Sequence, residues 1–444
     1  MGMITLKQAA QWCGGYVRAE FENITFLGAN NDTRKLQPGQ LFVALEGVRD
    51  GHEFIGTAFE KGAAAVLCKH CDAHQPAIIV DDPRTALGKI AAGERKRIGM
   101  KVVGVTGSVG KSTTKEMIAT VLDGDFVVSK TPANFNNDLG MPMAILSMSE
   151  STQVAVLEMG MNHFREIAYL SNIARPDVGV IINVGTMHIE HLGSREGILQ
   201  AKLEILEGMD VAAPLLLNGD NDMLASCNPG RGVTYFGTGE ACAVRGVDVC
   251  EDAGTIRYRA CWQGGEFPIT LPLEGMHYVS DSLAAVSVGL SLGVKPENIA
   301  ARLAAFRTME GRQEIFAAKD MTIIKDCYNA GPESMAAALA VLGKRSGRRI
   351  AVLGDMLELG DCAPAEHCKV GAIAAQNADF VLAYGPCGMY VAQGAGEKCR
   401  TFDDRAAMAL ALKQLAGPGD TLLFKGSHGM HMELVLEAFL KEET

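Results

Sequence analysis

The run Val105-Thr106-Gly107-Ser108-Val109-Gly110-Lys111-Ser112-Thr113 carries the strongest signature in the chain. An apolar stretch over 101–105 precedes it and a helical pattern over 114–122 follows it. Strand, glycine turn, lysine, hydroxyl pair and helix, in that order, build a phosphate cradle. The glycines let backbone N–H groups approach phosphate oxygens, and the helix N-terminus adds partial positive charge. Lys111 can reach the terminal phosphates and Ser112 can ligate Mg²⁺, so residues 106–113 are candidate nucleotide-binding positions. The spacing departs from G-x-x-x-x-G-K-[ST], because Val105 stands where the first glycine is expected.

At 444 residues the chain has room for about three domains on a ~150-residue prior. A 48% hydrophobic content suffices for packed cores, and a net charge of −11 argues against a general nucleic-acid binder, which needs basic stripes. The twelve cysteines are scattered and no secretory pattern opens the sequence, so free thiols in a reducing cytoplasm are expected. Cys68-Lys69-His70-Cys71, with His74 beyond it, has no second C-x-x-C to close a zinc site and reads as ordinary thiols at a strand end. No apolar run reaches the ~18 residues of a membrane span, and 282–294 reads as a short buried helix.

Three blocks follow from the periodicity. Residues 1–97 read as a small α/β unit with strands over 41–45, 64–67 and 77–80, a helix over 52–61 and a charged helix over 83–97. Residues 98–311 alternate strands (153–157, 178–182, 215–217) with helices, which implies a mostly parallel sheet, while 232–273 read as a small antiparallel lobe. Residues 312–444 alternate again, with strands over 322–324, 349–353, 380–383 and 421–424, as a smaller Rossmann-like sheet.

Ligands of open α/β sheets gather at the carboxyl ends of strands. Glu158 closes one strand and is a candidate Mg²⁺ ligand; Asn183 and His188 follow another; Asn134, Asn136 and Asn137 lie in a loop after a strand over 126–128. With Glu190 and His191 beside it, His188 is a loop-metal candidate that spacing alone leaves open. Lys202, on a helix over 194–207, reads from its own surroundings as a solvated lysine.

Together these residues resemble the Mur ligases, the ATP-dependent amide-forming enzymes of peptidoglycan synthesis. The resemblance runs over nearly the whole chain. Asp32-Thr33-Arg34, residues 38–47 and Asp50-Gly51-His52 resemble the family's uridine-nucleotide domain, and 106–113 its variant phosphate loop, which accounts for Val105. Residues 134–142, Glu158-Met159-Gly160-Met161-Asn162, residues 353–360, and Lys425-Gly426-Ser427 with Met432-Glu433 are similar to further family motifs. The resemblance implies that Lys202 is carbamylated by CO₂ and, with His188 and Glu158, holds a second Mg²⁺ beside the one at Ser112. It implies that Arg312 reaches ATP phosphate, and that Asn137, His277, Asp281, Asp326, Tyr328 and Asn329 lie near ATP. It further implies Asp32, Thr33, Arg34, Asn134, Asn136, Asn162, Asp355, Lys425 and Ser427 as substrate-binding positions, and Lys111, Lys202, His188 and Arg312 as catalytic ones.

The implied substrates are ATP, a UDP-N-acetylmuramoyl-tripeptide and D-alanyl-D-alanine, joined through an acyl phosphate by a cytoplasmic monomer. Domain closure would hinge near Arg97 and Gly311. Tyr278, Asp281, Gly331, His428 and the pair Phe164-Arg165 depart from residues common in the family. Two other readings remain. A sister ligase adding a single amino acid is superficially suggested by Asp81-Asp82-Pro83-Arg84, which lies in the N-terminal block and reads as a helix start. A nucleotide-dependent switch without ligase activity would require loss of Glu158, Lys202 or His188, and all three are present.

Overall fold

Hydrophobic alternation sorts the central strands between two faces. In Lys101–Thr106, Val102 joins one core while Val103 and Val105 join another; in Val154–Glu158, Ala155 and Leu157 go with the first and Val154 and Val156 with the second. Buried on both sides, these strands form the interior of a nine-stranded sheet. Here and below, the structure is a computed structural model that describes residues 3–252 and 254–441.

From one edge the central sheet runs Val128–Lys130, Val154–Glu158, Lys101–Thr106, Val178–Ile181, Leu215–Asn218, Thr234–Gly237 and Val244–Asp252, all parallel. Thr255–Trp262 and Gly265–Leu271 then continue it antiparallel. Of the antiparallel segment expected over 232–273, residues 244–271 are antiparallel and joined edge-on to the parallel sheet, whereas Thr234–Gly237 pairs parallel on both sides. The apolar helix His277–Ser291 packs against Lys111–Leu122 on one face, inside the second core.

The other face of that sheet shares its core with the N-terminal unit, whose parallel strands Ala29–Asn30, Leu41–Val43, Ala65–Cys68 and Ala77–Ile79 form a four-stranded sheet. Helix Pro83–Ile98 bridges the two. Asp82 caps it by accepting from the Arg84 N–H, Pro83 opens it, and Gly99 closes it with φ +71°, so residues 81–84 are a helix start.

The third sheet runs Glu314–Ala318, Met321–Asp326, Thr421–Lys425, Arg349–Gly354, Phe380–Tyr384 and Cys399–Phe402; only its first pair is antiparallel. Two expected helices are interrupted. Residues 52–61 fold as a 3₁₀ turn, Gly51–Phe54, followed by Ile55–Glu60, and 194–207 fold as Arg195–Leu203 followed by the 3₁₀ segment Glu204–Gly208. The strand expected over 126–128 lies instead at Val128–Lys130. No helix among the described residues is long and apolar enough to cross a membrane.

Candidate active site

Strand register places the site. Val105 pairs with Glu158 and Thr106 with Ile181, so the phosphate loop leaves the central strand with Glu158 on one side and Asn183 on the other. Asn183 Oδ1 accepts from the N–H groups of Ser108 and Val109, both at 2.9 Å, and its Nδ2 donates to the Val109 carbonyl at 2.9 Å. Gly110 precedes the helix at φ +82°, where a Cβ would lie 2.7 Å from Asp281 Oδ1, so glycine is required on both counts. Lys111 Nζ folds back to donate to the carbonyls of Gly107 (2.9 Å) and Ser108 (3.3 Å). Burial draws its ammonium below the usual lysine range, with Glu158 opposing and Arg312 adding to the shift.

Glu158 is buried and its carboxylate is the hub of the crest. Oε2 accepts from Ser112 Oγ at 2.8 Å and Oε1 from Asn136 Nδ2 at 2.9 Å. Lys115, fully buried, stands 3.8 Å from Oε2 and donates to the Thr131 carbonyl. The hydroxyl of Ser112 and the carboxylate of Glu158 form a hard-oxygen donor set that suits Mg²⁺.

The third sheet closes over this crest. Arg312 Nη2 donates to Ser112 Oγ at 3.0 Å, and its guanidinium lies 3.9 Å over the Tyr328 ring. Its Nε is buried without a hydrogen-bond partner, a donor left unsatisfied at this crest. Asp326 takes Lys425 Nζ at 2.6 Å, and the same ammonium donates to the Asn329 carbonyl at 2.9 Å. Thr186 N–H donates to Glu333 Oε1 at 2.9 Å, and His188 Nδ1 lies 2.5 Å from Glu358 Oε2. Both pairs cross between the two sheets.

Two cavities result. One, about 290 Å³, is lined by residues 108–113 together with His277, Asp281, Asp326, Tyr328, Asn329, Arg312 and Lys425. The other, about 850 Å³, is lined by Asn134, Asn137, Asn162, His188, Glu358 and Ser427 among others. Lys111, Asn136, Met187, Tyr328, Asn329 and Ala330 line both and form the junction between them.

The sequence-predicted residues divide accordingly. Thr106 lies beneath the loop with its buried hydroxyl unpartnered. Asn137 faces the second cavity rather than the first, and its Oδ1 takes the Gly140 N–H at 2.7 Å. Asp32, Thr33 and Arg34 line neither cavity; Arg34 forks onto the Asp32 carboxylate, which is held down at about 2 by that bond. Asp355 also lies off both cavities. It is buried, accepts the Cys387 N–H at 3.1 Å, and sits 3.9 Å from His367 Nε2. Asp355, His367 and Cys387 are grouped closely enough for a metal, but both His367 nitrogens are engaged, Nε2 by the Met356 N–H and Nδ1 by the Ala363 carbonyl.

One reading is corrected outright: Lys202 is not solvated. It is 1% exposed and has no hydrogen-bond or ion-pair partner among the described residues. Desolvation, with Lys111 nearby, pulls its ammonium well below the usual range. That shift favours the uncharged amine, the form that captures CO₂, so the environment fits a carbamate. Asn183, Lys115 and Glu358 were not assigned roles from sequence. Asn183 was visible as a strand-end residue, whereas Lys115 and Glu358 gain their partners only through packing.

Two departures have structural content. Arg165 takes φ +73°, so the backbone keeps the left-handed turn that favours glycine. Asp281 is buried against Thr114 Oγ1 at 3.0 Å, and burial pushes its carboxyl up to about 7, with Thr114 and Arg312 opposing. Because the folded state holds this proton while the unfolded chain releases it above about pH 4, stability is lost as pH rises toward 7. Asp281→Asn is expected to raise Tm near pH 8 and to bring little gain near pH 4, read by calorimetry at both; an equal gain at both would reject the assignment.

The Mur ligase middle domain matches residues 105–289, the Mur ligase glutamate ligase domain 311–428, and the Mur ligase family catalytic domain 23–95. The UDP-N-acetylmuramoyl-tripeptide–D-alanyl-D-alanine ligase of Bacillus subtilis is 39% identical over 98% of each chain, and that of Escherichia coli 35% identical over 99% of each. A crystal structure of MurF from Acinetobacter baumannii superposes with TM-score 0.93 over the whole of both chains at 31% identity. MurF from Thermotoga maritima in complex with ADP gives TM-score 0.84 at 30% identity, covering 94% of this chain and 97% of that one.

Proposed function

The chain belongs to the Mur ligase family, and from that premise we propose that it joins D-alanyl-D-alanine to UDP-N-acetylmuramoyl-tripeptide at the expense of ATP. A peptide carboxylate is a poor electrophile. Transfer of the ATP γ-phosphoryl group to it gives an acyl phosphate; the amine then attacks the acyl carbon, the C–O bond to phosphate breaks, and an amide forms. The first step brings two anions together, and a unit-charge pair ~4 Å apart at an effective dielectric of ~20 repels by about 4 kcal/mol. Lys111 and Arg312 offset that repulsion and align the two oxygens for in-line transfer.

The observation that carries this reading is Arg312. It reaches from the third sheet to the phosphate-loop hydroxyl of Ser112 with its Nε still lacking a partner. Ser112, Glu158, His188 and carbamylated Lys202 would hold two Mg²⁺ ions, which supply charge neutralisation at the transferring phosphoryl group. The nucleotide occupies the smaller cavity, and the muramoyl peptide and amine meet in the larger one. Residues 1–97 serve the uridine end, 98–311 ATP, and 312–444 the amine. A hinge near Gly311, at φ +70°, lets the third unit swing, and a second near Arg97 lies between the first two units. The protein acts as a monomer in the cytoplasm, where UDP-linked precursors are made.

A coupled ADP-release assay tests this directly. UDP-muramoyl-tripeptides carrying lysine or diaminopimelate are offered with D-alanyl-D-alanine or with free amino acids. Release is expected with the dipeptide; preference for a free amino acid would favour a sister ligase, and no release with any pair would favour a switch.

A further inference from the structure

The two cations that activate the carboxylate create a problem for the second substrate. An amine nucleophile arrives as an ammonium, and Lys111 at the junction of the cavities and Arg312 beside it repel it. A carboxylate on the wall of the larger cavity would offset that repulsion. The larger cavity has three acidic residues in its lining. Asp138 is paired with Arg84, and Glu166 accepts the backbone N–H groups of Asn162 and His163. The third is Glu358.

Glu358 differs from both. Its side chain keeps 43% of its exposure while lining the cavity, and among the described residues its one polar partner is His188 Nδ1. Its backbone is held at φ +63°, an uncommon conformation for a glutamate, and the loop is fixed by the Leu357 N–H donating to Ser427 Oγ at 2.9 Å. The loop follows strand Arg349–Gly354 of the third sheet, which also supplies Lys425 and, just beyond strand Met321–Asp326, the Tyr328 ring under Arg312.

We propose that Glu358 is the counter-ion for the α-ammonium of the amine substrate, exchanging its bond to His188 for one to that ammonium. This rests on the ligase reading above. Its partner His188 follows junction residue Met187, and its neighbour Leu357 is held by Ser427 against junction residue Ala330. Glu358 thereby draws the amine to the C-terminal side of the junction, where it loses a proton to solvent before it attacks the activated carboxyl.

Wild type, Glu358→Gln and Glu358→Asp are compared in initial-rate assays with all three substrates. Propionyl-D-alanine, the dipeptide without its amino group, is the competitive probe. Glu358→Gln is expected to raise the KM for D-alanyl-D-alanine roughly tenfold or more, the loss of one charge-assisted bond. The KM values for ATP and the UDP substrate should stay within about twofold, and the propionyl-D-alanine inhibition constant should not move. Glu358→Asp, which keeps the charge on a shorter stem, should fall between. An unchanged dipeptide KM overturns the proposal, as does a parallel rise of all three KM values or of the propionyl-D-alanine constant, which would mean that Glu358 only holds the two sheets together. Absence of ADP release by wild type overturns the ligase reading itself, and the proposal with it.

Discussion

Arg312→Ala is expected to lower kcat for ADP formation by about 10³-fold, the scale of an arginine supplied to a transferring phosphoryl group. In the structure the guanidinium has one bond to Ser112 Oγ, one ring face against Tyr328 and a buried, unpartnered Nε. None of these is a strong ion pair, so little folding stability depends on the side chain; loss of the stacked cation is worth about 1 kcal/mol. The residue is thus poised to spend its hydrogen bonds on the transition state. Arg312→Lys keeps the charge but loses the planar fork and the stacking, so it should recover only a small part of the rate. Steady-state ADP release and a thermal melt on the same preparations check the split. A rate loss under about tenfold, or a melt that collapses with the rate, would remove Arg312 from the chemistry.

The parts of this site that were legible in sequence are the local ones. The phosphate loop is a contiguous run whose spacing is itself the geometry, and Glu158 announces itself by closing an apolar strand. The helix start at 81–84 is likewise fixed by Asp82 and Pro83 within one turn. Edge strands were harder. Glu314–Ala318 and Cys399–Phe402 are only half-buried, so they lack the continuous apolar run that marks an interior strand. Hardest were residues whose environment is made by distant chain. Lys115 and Lys202 sit on helices, where a lysine is ordinarily solvated, and both are buried by packing that no neighbour in sequence reveals. His188 and Glu358 meet across 170 residues. Only the family resemblance singled out Lys202, and nothing local in the sequence marked the His188–Glu358 pair.

Lys202→Met is expected to separate function from stability in opposite directions. Catalysis should fall by about 10²-fold or more, because an anionic oxygen ligand at this position is lost along with the amine that forms it. Stability should rise. Lys202 is buried with no polar partner among the described residues and lies near Lys111, so the folded protein carries a desolvated amine that an apolar side chain of similar length replaces at lower cost. The pH dependence has a definite sign. The folded-state pKa is depressed, so below the unfolded value the unfolded chain binds the extra proton and wild type is weakened; that penalty fades as pH climbs toward the lysine's ordinary range. Measured in CO₂-depleted buffer, where the wild-type amine is free, the Tm advantage of Lys202→Met should therefore be larger at about pH 7 than at about pH 9.5. The carbamate adds an independent handle. Its formation consumes one CO₂ and releases one proton from the neutral amine, so wild-type activity should drop in CO₂-depleted buffer and return with bicarbonate, while the methionine variant responds to neither. A variant that retains its activity, or that loses stability at both pH values, would leave the burial of Lys202 without the role assigned to it.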